Sequence, residues 1–424
     1  MTPTAPPSRP SPDAATPAQP LRIHDGDCWA FFAFDVGYAI DLDAAERLLA
    51  AERGVAVCRE EIPHGSARRR APASARFQPA PLRVDQPAPE AAAMDLGGFA
   101  PAPTVEVTLF DFGAVSVAYR IPLAGGESGM TLDRMLPLSQ CLFECAPLRD
   151  DAARRVAALV SRLTGVGGAI DRANIAEIVE DYTVFHVRRW TGGGSRIGAE
   201  KRDAGQGAAA DLSADRAAVA RLLLAEPRDA PLSNQAVESA LAVAVSYSDA
   251  DAAVIDWNAA LVLGADEADT LAVLEFANVE LLEMRFLDDR LDAALDRSYA
   301  TLLRRDARGR TPRSPLGFLF DPHRAERRRL AVFQMDSALL FEGVNNAIKL
   351  VGDQHLARIY AAAAKRFHLP EWDRSILRKQ HTIDGLYQKL ADEQTNRRME
   401  VLEWIIIILI AVSIVLPFLP WVGK

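Results

Sequence analysis

Cysteine is scarce in this chain: four in 424 residues, at Cys28, Cys58, Cys141 and Cys145. That number does not make a disulfide framework, and a reducing compartment fits it. Only Cys141 and Cys145 are close neighbours, and no His or Cys pair follows at zinc-finger spacing, so no metal centre is expected. The N-terminal stretch MTPTAPPSRPSPDAATPAQP has no apolar run to act as a signal peptide and no regular Arg-bearing amphipathic pattern. An excess of positive charge is also missing. With 48 Lys and Arg against 57 Asp and Glu, the net charge is −9, which argues against general nucleic-acid binding.

Motifs of nucleotide chemistry are incomplete. Gly192-Gly193-Gly194-Ser195 has no following Gly-Lys-Ser/Thr and no strand–turn–helix frame, and reads as a flexible loop. Asp111-Phe112-Gly113 has the letters of a kinase motif but lacks the Gly-rich loop and the H-R-D segment that would accompany it. The sequence identifies no cofactor and no small-molecule ligand. His355, His368 and His381 recur every thirteen residues, a spacing that turns successive positions of a helix to different sides.

Apolar sequence, by contrast, is plentiful at 49%, and one run dominates. Trp404 to Val422 reads WIIIILIAVSIVLPFLPWV without a charge. As a helix it is roughly 28 Å long, close to a hydrocarbon core of about 30 Å. Its Ile, Leu, Val and Phe residues favour insertion by roughly 5 kcal/mol, and Trp404 and Trp421 stand where indole rings prefer the headgroup level. The expectation is a transmembrane anchor over 404–422, with the bilayer as a partner.

Residues 1–20, rich in Pro, Ala, Ser and Thr, are expected to be disordered. An α+β domain is expected over 21–265. CWAFFAFDVGYAI from Cys28 reads as strand and AERLLAAERG as a short helix. The Pro-, Ala- and Arg-rich stretch 62–103 reads as a flexible insertion. VEVTLFDFGAVSVAYRIP alternates around a turn at Asp111–Gly113, as a hairpin does. Helices are expected at about 131–146, 151–164, 172–178 and 211–224, and a strand at EDYTVFHVRRW. QAVESALAVAVSYSDADAAVIDWNAALVL reads as two strands joined at Ser248–Asp251. Phe34-Asp35-Val36-Gly37 and Phe110-Asp111-Phe112-Gly113 both place F-D-x-G after an apolar run, a hint of two related β units.

After Glu267 the pattern turns wholly helical. Val273, Ala277, Leu281, Met284, Leu287, Leu291, Leu295, Tyr299 and Leu302 form one stripe at helical spacing. A second helix is expected over 322–351 and a third over 353–367, together making a helical region at 266–369. From Pro370, suited to a first helical position, nothing but Gly385 interrupts a helix until Pro417. Its part at 370–403 is a stalk, with Ile376, Ile383, Leu386 and Leu390 as a partial coiled-coil seam that supports a homo-oligomer.

Two polar clusters sit on these helices. One holds Glu283, Arg285, Asp288, Asp289, Arg290 and Asp292, with Arg285 and Asp289 one turn apart. The other holds Glu342, Gly343, Asn345, Asn346, Lys349 and Asp353, where adjacent Asn and Gly are poor helix formers. Such local inconsistency points to tight packing, an interface or a site. Basic residues cluster at Arg68–Arg70, Arg304–Arg313 and Arg327–Arg329, as solvated helix ends or as contacts to RNA or anionic lipid.

LLEMRFLDDRLDAALDRSY, LFEGVNNAIKLVGDQHLARIY, FHLPEWDRSILRKQ and RRMEVLEWIIIILIAVSIVLPF, together with EDYTVFHV and VIDWNAALV, resemble the family whose eukaryotic members are called "required for meiotic nuclear division" and "Sad1-interacting factor". The resemblance covers about 105–420, and the Ala- and Arg-rich style suggests a bacterial member. It implies a C-terminal transmembrane helix. One mitochondrial member supports translation from an inner-membrane assembly near the ribosome. The resemblance implies no catalytic residue.

The resulting expectation is a tail-anchored, homo-oligomeric scaffold or adaptor at the cytoplasmic membrane, its bulk in the cytoplasm. Lys379, Lys389, Arg397 and Arg398 on the head side support that orientation. The alternatives are a ribosome or RNA tether, and a membrane-associated enzyme of nucleotide or RNA metabolism acting through the two polar clusters.

Overall fold

The computed structural model describes residues 20–51, 56–59, 80–88, 95–165, 168–192, 212, 215–265, 268–307 and 354–415. It is an α+β structure organised on a ten-stranded sheet. The strands are β1 (Arg22–Asp35), β2 (Ala39–Ile40), β3 (Ala56–Arg59), β4 (Leu82–Pro87), β5 (Thr104–Leu109), β6 (Ala114–Pro122), β7 (Met130–Thr131), β8 (Ile170–Asp171), β9 (Val179–Thr191), β10 (Ala244–Val245), β11 (Ala252–Ile255) and β12 (Ala259–Leu263). The helices are α1 (Leu42–Ala50), α2 (Leu132–Leu142), α3 (Ala146–Leu163), α4 (Arg216–Leu224), α5 (Asn234–Ala240), α6 (Ala268–Ala307), α7 (Gln354–Arg366) and α8 (Leu369–Val415).

The sheet runs β10-β11-β12-β9-β1-β6-β5-β4-β3, with β7 pairing the start of β1, while β2 and β8 form a separate ribbon. β9 and β12 pair in parallel and the other neighbours antiparallel. β1 lies at the centre, and its sequence CWAFFAF lacks alternation because both faces are covered. Phe32 and Phe34 enter one core, with Tyr119 of β6 and helices α1 to α4. Phe31 and Ala33 enter the cores on the opposite face, under α6, α7 and α8.

Much of the α6 stripe is buried as its spacing requires: Val273, Ala277, Met284, Leu287 and Leu291 lie in the core, Leu281 and Leu295 are half-buried, and Tyr299 is exposed. α7 and α8 are joined by Phe367 and His368, the latter in a left-handed conformation at φ 58°. α8 is a single helix of 47 residues. Ile376 and Ile383, the first residues of the expected coiled-coil seam, bury against α6 within the same chain.

The described residues depart from three sequence expectations. β4 lies inside the expected insertion 62–103, pairing with both β3 and β5. Leu82 and Val84 are its buried face, a short alternation hidden among prolines and alanines. Residues 172–178 are not a helix. The N–H groups of Asn174 and Ala176 donate instead to Val36 O and Asp35 O, both at 3.0 Å, clipping the segment to the end of β1. Asn234–Ala240 is a helix, not a strand, because Ser233 Oγ accepts from Ala236 N–H at 3.1 Å and caps it. The turn at Ser248–Asp251 does join two strands, β10 and β11.

The two F-D-x-G segments meet. Asp35 pairs with Ala114 at the end of the β1–β6 ladder. Val36 N–H donates to Gly113 O at 2.9 Å and Ile40 N–H to Asp111 O at 2.8 Å. Gly113 has φ +101°, and a Cβ there would stand 2.0 Å from Gly37 O. This backbone approach accounts for Gly113, while a Cβ at Gly37 would stand 2.8 Å from Asp171 O.

Candidate functional site

The stretch of α6 from Val273 to Glu280 is buried at every residue, since the sheet lies on one side and α7 and α8 on the other. Helices closed in on all sides are usually apolar. This one carries Glu275, Asn278 and Glu280, with Glu283 a turn further on, each at most 4% exposed. Asn278 donates to Glu180 O on β9 at 3.3 Å. Tyr360 of α7 donates its hydroxyl hydrogen to Glu280 Oε2 at 2.6 Å. Burial still dominates at Glu280 and pushes its pKa up to about 8 despite that bond. Glu180 is raised to about 7 by burial, partly offset by its ion pair with Arg285.

Further along the same face, Glu283 and Asp35 face each other electrostatically. Burial and the Asp35 charge drive the Glu283 carboxyl well above the usual carboxylate range. Burial raises Asp35 to about 7, against the charge of Arg290 and the hydrogen bond from Gly37 N–H. Asp35 Oδ2 and Glu283 Oε1 are both buried without a hydrogen-bond partner.

Asp35 opens onto a cleft of about 410 Å³ lined also by Gly37, Tyr38, Arg172, Asn174, Phe286 and Arg290. Three elements build it: the end of β1 with its F-D-x-G turn, the clipped segment after β8, and α6. Arg290 Nη2 donates to Tyr38 Oη at 2.7 Å. The Arg172 and Arg290 guanidinium carbons lie 4.6 and 5.2 Å from the Tyr38 ring centroid, and Arg290 lies 5.4 Å from that of Phe286. Arg172 holds a left-handed conformation at φ 46°. Among the described residues, no group of three His, Cys, Asp or Glu stands together as a metal site.

The residues expected to form the first polar cluster do not form one site. Glu283 turns into the core beside Asp35. Arg285 pairs with Glu180 of β9. Asp288 lies 2.8 Å from Lys379 of α8 and accepts from Ser375 Oγ at 3.3 Å. Asp289 is exposed. Glu342, Gly343, Asn345, Asn346, Lys349 and Asp353 lie outside the described residues, as do Trp421, the N-terminal segment through residue 19, the expected 322–351 helix and the arginines of the basic clusters beyond α6 and at 68–70. Asp35, Tyr38, Arg172, Glu180 and Glu280 went unselected in the sequence, while Arg290 stood in the first polar cluster. For Asp35 the signal was there: its F-D-x-G segment is repeated at 110–113.

The far end of α8 differs from everything else described. Residues 402–414 are exposed at every position. Trp404, Ile406, Ile408, Leu409 and Ile414 are each more than half exposed, and together they point to all sides of the helix. Among the described residues no helix is long and apolar enough to cross a membrane. α8 is described as far as Val415, partway through the uncharged run 404–422.

The fold is thus a broad, mostly antiparallel sheet between two helical layers, with a charged cleft where β1 meets α6. Residues 25–270 match the family described as "Uncharacterized protein MJ0711, N-terminal domain", and the chain belongs to that family. The "Uncharacterized protein MJ0711" of Methanocaldococcus jannaschii is 24% identical over 174 residues, covering 41% of this chain and 50% of that protein. The match therefore spans half of that relative's length. No solved structure matches the chain. The family match takes in the whole sheet and ends as α6 begins. It carries nothing about the meiotic-division family, whose resemblance is concentrated in α6 and beyond.

Proposed function

We propose that the chain is a membrane-anchored adaptor whose α+β body is held at the bilayer by α8. The observation that carries this reading is the exposed, charge-free surface of α8 over 404–414, which has no partner face within the described residues. A helix that is apolar all round is stable in water only when something covers it, and lipid tails cover all sides equally. The charge-free sequence continues to Val422, giving 404–422 the length a bilayer requires. Lys379, Lys389, Arg397 and Arg398 precede the run and favour a cytoplasmic body. The resemblance to a family with a C-terminal transmembrane helix supports the same reading.

Cell fractionation tests it. The full chain is expected in the membrane pellet and to resist extraction by 1 M salt, while a chain ending at Glu403 is expected in the supernatant. A shortened chain that still pellets at high salt would overturn the anchor.

A further inference from the structure

The cleft between β1 and α6 offers three kinds of recognition at once. Arg172 and Arg290 place two guanidinium groups on its wall, the side chains best suited to phosphate or carboxylate oxygens. Asp35, only 2% exposed, also lines the cleft and sets a carboxyl group beside Arg290. Phe286, Tyr38 and the guanidinium planes stacked on them give flat surfaces of the sort on which rings lie.

Size narrows the choice. A cleft of about 410 Å³ falls within the usual range for small organic ligands, roughly 300–1,000 Å³, and is too roomy for a bare anion or a single amino acid. The site also rests on a fixed frame. Tyr38 N–H donates to Asp171 O at 3.1 Å, and the Asn174 and Ala176 bonds hold the Arg172 segment to β1. The left-handed backbone at Arg172 is a conformation that costs energy and persists only where its surroundings impose it.

We infer that this cleft binds a mononucleotide-sized ligand, its phosphate against Arg172 and Arg290 and its flat base along Phe286. The same burial that raises the Asp35 pKa to about 7 means that the site holds either a carboxylate acceptor or a carboxylic acid near neutrality, so binding depends on pH in that range. The charged groups facing Asp35 are Arg290 and Glu283. This inference does not depend on membrane anchoring.

Isothermal titration of the full chain in mild detergent tests it, with the four ribonucleoside 5′-monophosphates, inorganic phosphate and glutamate as ligands. At least one monophosphate is expected to bind one to one and at least tenfold more tightly than phosphate or glutamate. Arg172→Ala is expected to weaken that binding tenfold or more with an unchanged melting temperature, since the Arg172 side chain is 55% exposed. Asn174→Ala, at a second exposed cleft position, is expected to weaken it as well. The inference fails if no monophosphate binds, if phosphate or glutamate binds as tightly, or if neither variant changes the affinity.

Discussion

The Lys379 ammonium of α8 lies 2.8 Å from the Asp288 carboxylate of α6. The same ammonium is 2.6 Å from Asp292, one turn on. Ile376 and Ile383 bury on either side of this bridge. The helix that carries the apolar run is thereby fixed to the helix that carries the buried acids.

Most of that docking is apolar. Ile376→Ala is expected to destabilise the body by about 2–4 kcal/mol, as a large-to-small change at a fully buried site. Lys379→Ala is expected to cost less, about 1–2 kcal/mol, because Asp292 is over half exposed and screened by water and Asp288 keeps its hydrogen bond from Ser375 Oγ. Urea unfolding in detergent, compared between the two variants, measures the difference.

Arg366 and Asp256 give a sharper case. Asp256 is fully buried and its ion pair is with Arg366 of α7. Removing the cation alone by Arg366→Met is expected to cost about 3–5 kcal/mol, because a buried charge is left uncompensated. Adding Asp256→Asn to that variant is expected to recover part of the loss. A double variant less stable than the single one would contradict this account.

The raised acids predict a pH dependence. Glu280 has a folded-state pKa of about 8, and Asp35 and Glu180 of about 7, all above their ordinary values of 4.5 or 3.8. Between those limits the folded protein binds more protons than the unfolded chain, so stability falls as pH rises from about 4 through about 8. Chemical unfolding is expected to show higher stability at pH 5 than at pH 8.5. Glu280→Gln keeps an acceptor for Tyr360 and is expected to flatten the slope.

Gly113→Ala is expected to destabilise by more than about 2 kcal/mol. It combines a positive φ with a Cβ that would collide with Gly37 O. Gly126→Ala has a positive φ but open space around it, and is expected to cost about 1 kcal/mol. Thermal unfolding of the two variants separates collision from backbone preference.

The long elements were legible in the sequence because their periodicity is strong. The α6 stripe from Val273 to Leu291, the hairpin of β5 and β6, and the unbroken α8 all follow from spacing alone. Short elements were not. β4 has two buried residues in a proline-rich stretch, too few to set a period, and α5 is defined by one capping serine. The cleft was hidden for another reason. Asp35, Arg172 and Arg290 come from three segments far apart in the chain, brought together by backbone hydrogen bonds between residues 35–38 and 171–176 and by the packing of α6 on the sheet. A repeated F-D-x-G was visible, but its use as two turns packed glycine to glycine is a property of the sheet.

Flotation of the purified full chain with neutral phosphatidylcholine vesicles, in 1 M salt, tests the anchor most directly. The chain is expected to rise with the vesicles, and the double variant Ile407→Arg/Ile410→Arg is expected to stay at the bottom of the gradient with its melting temperature unchanged. A double variant that floats as the original chain does would contradict the account.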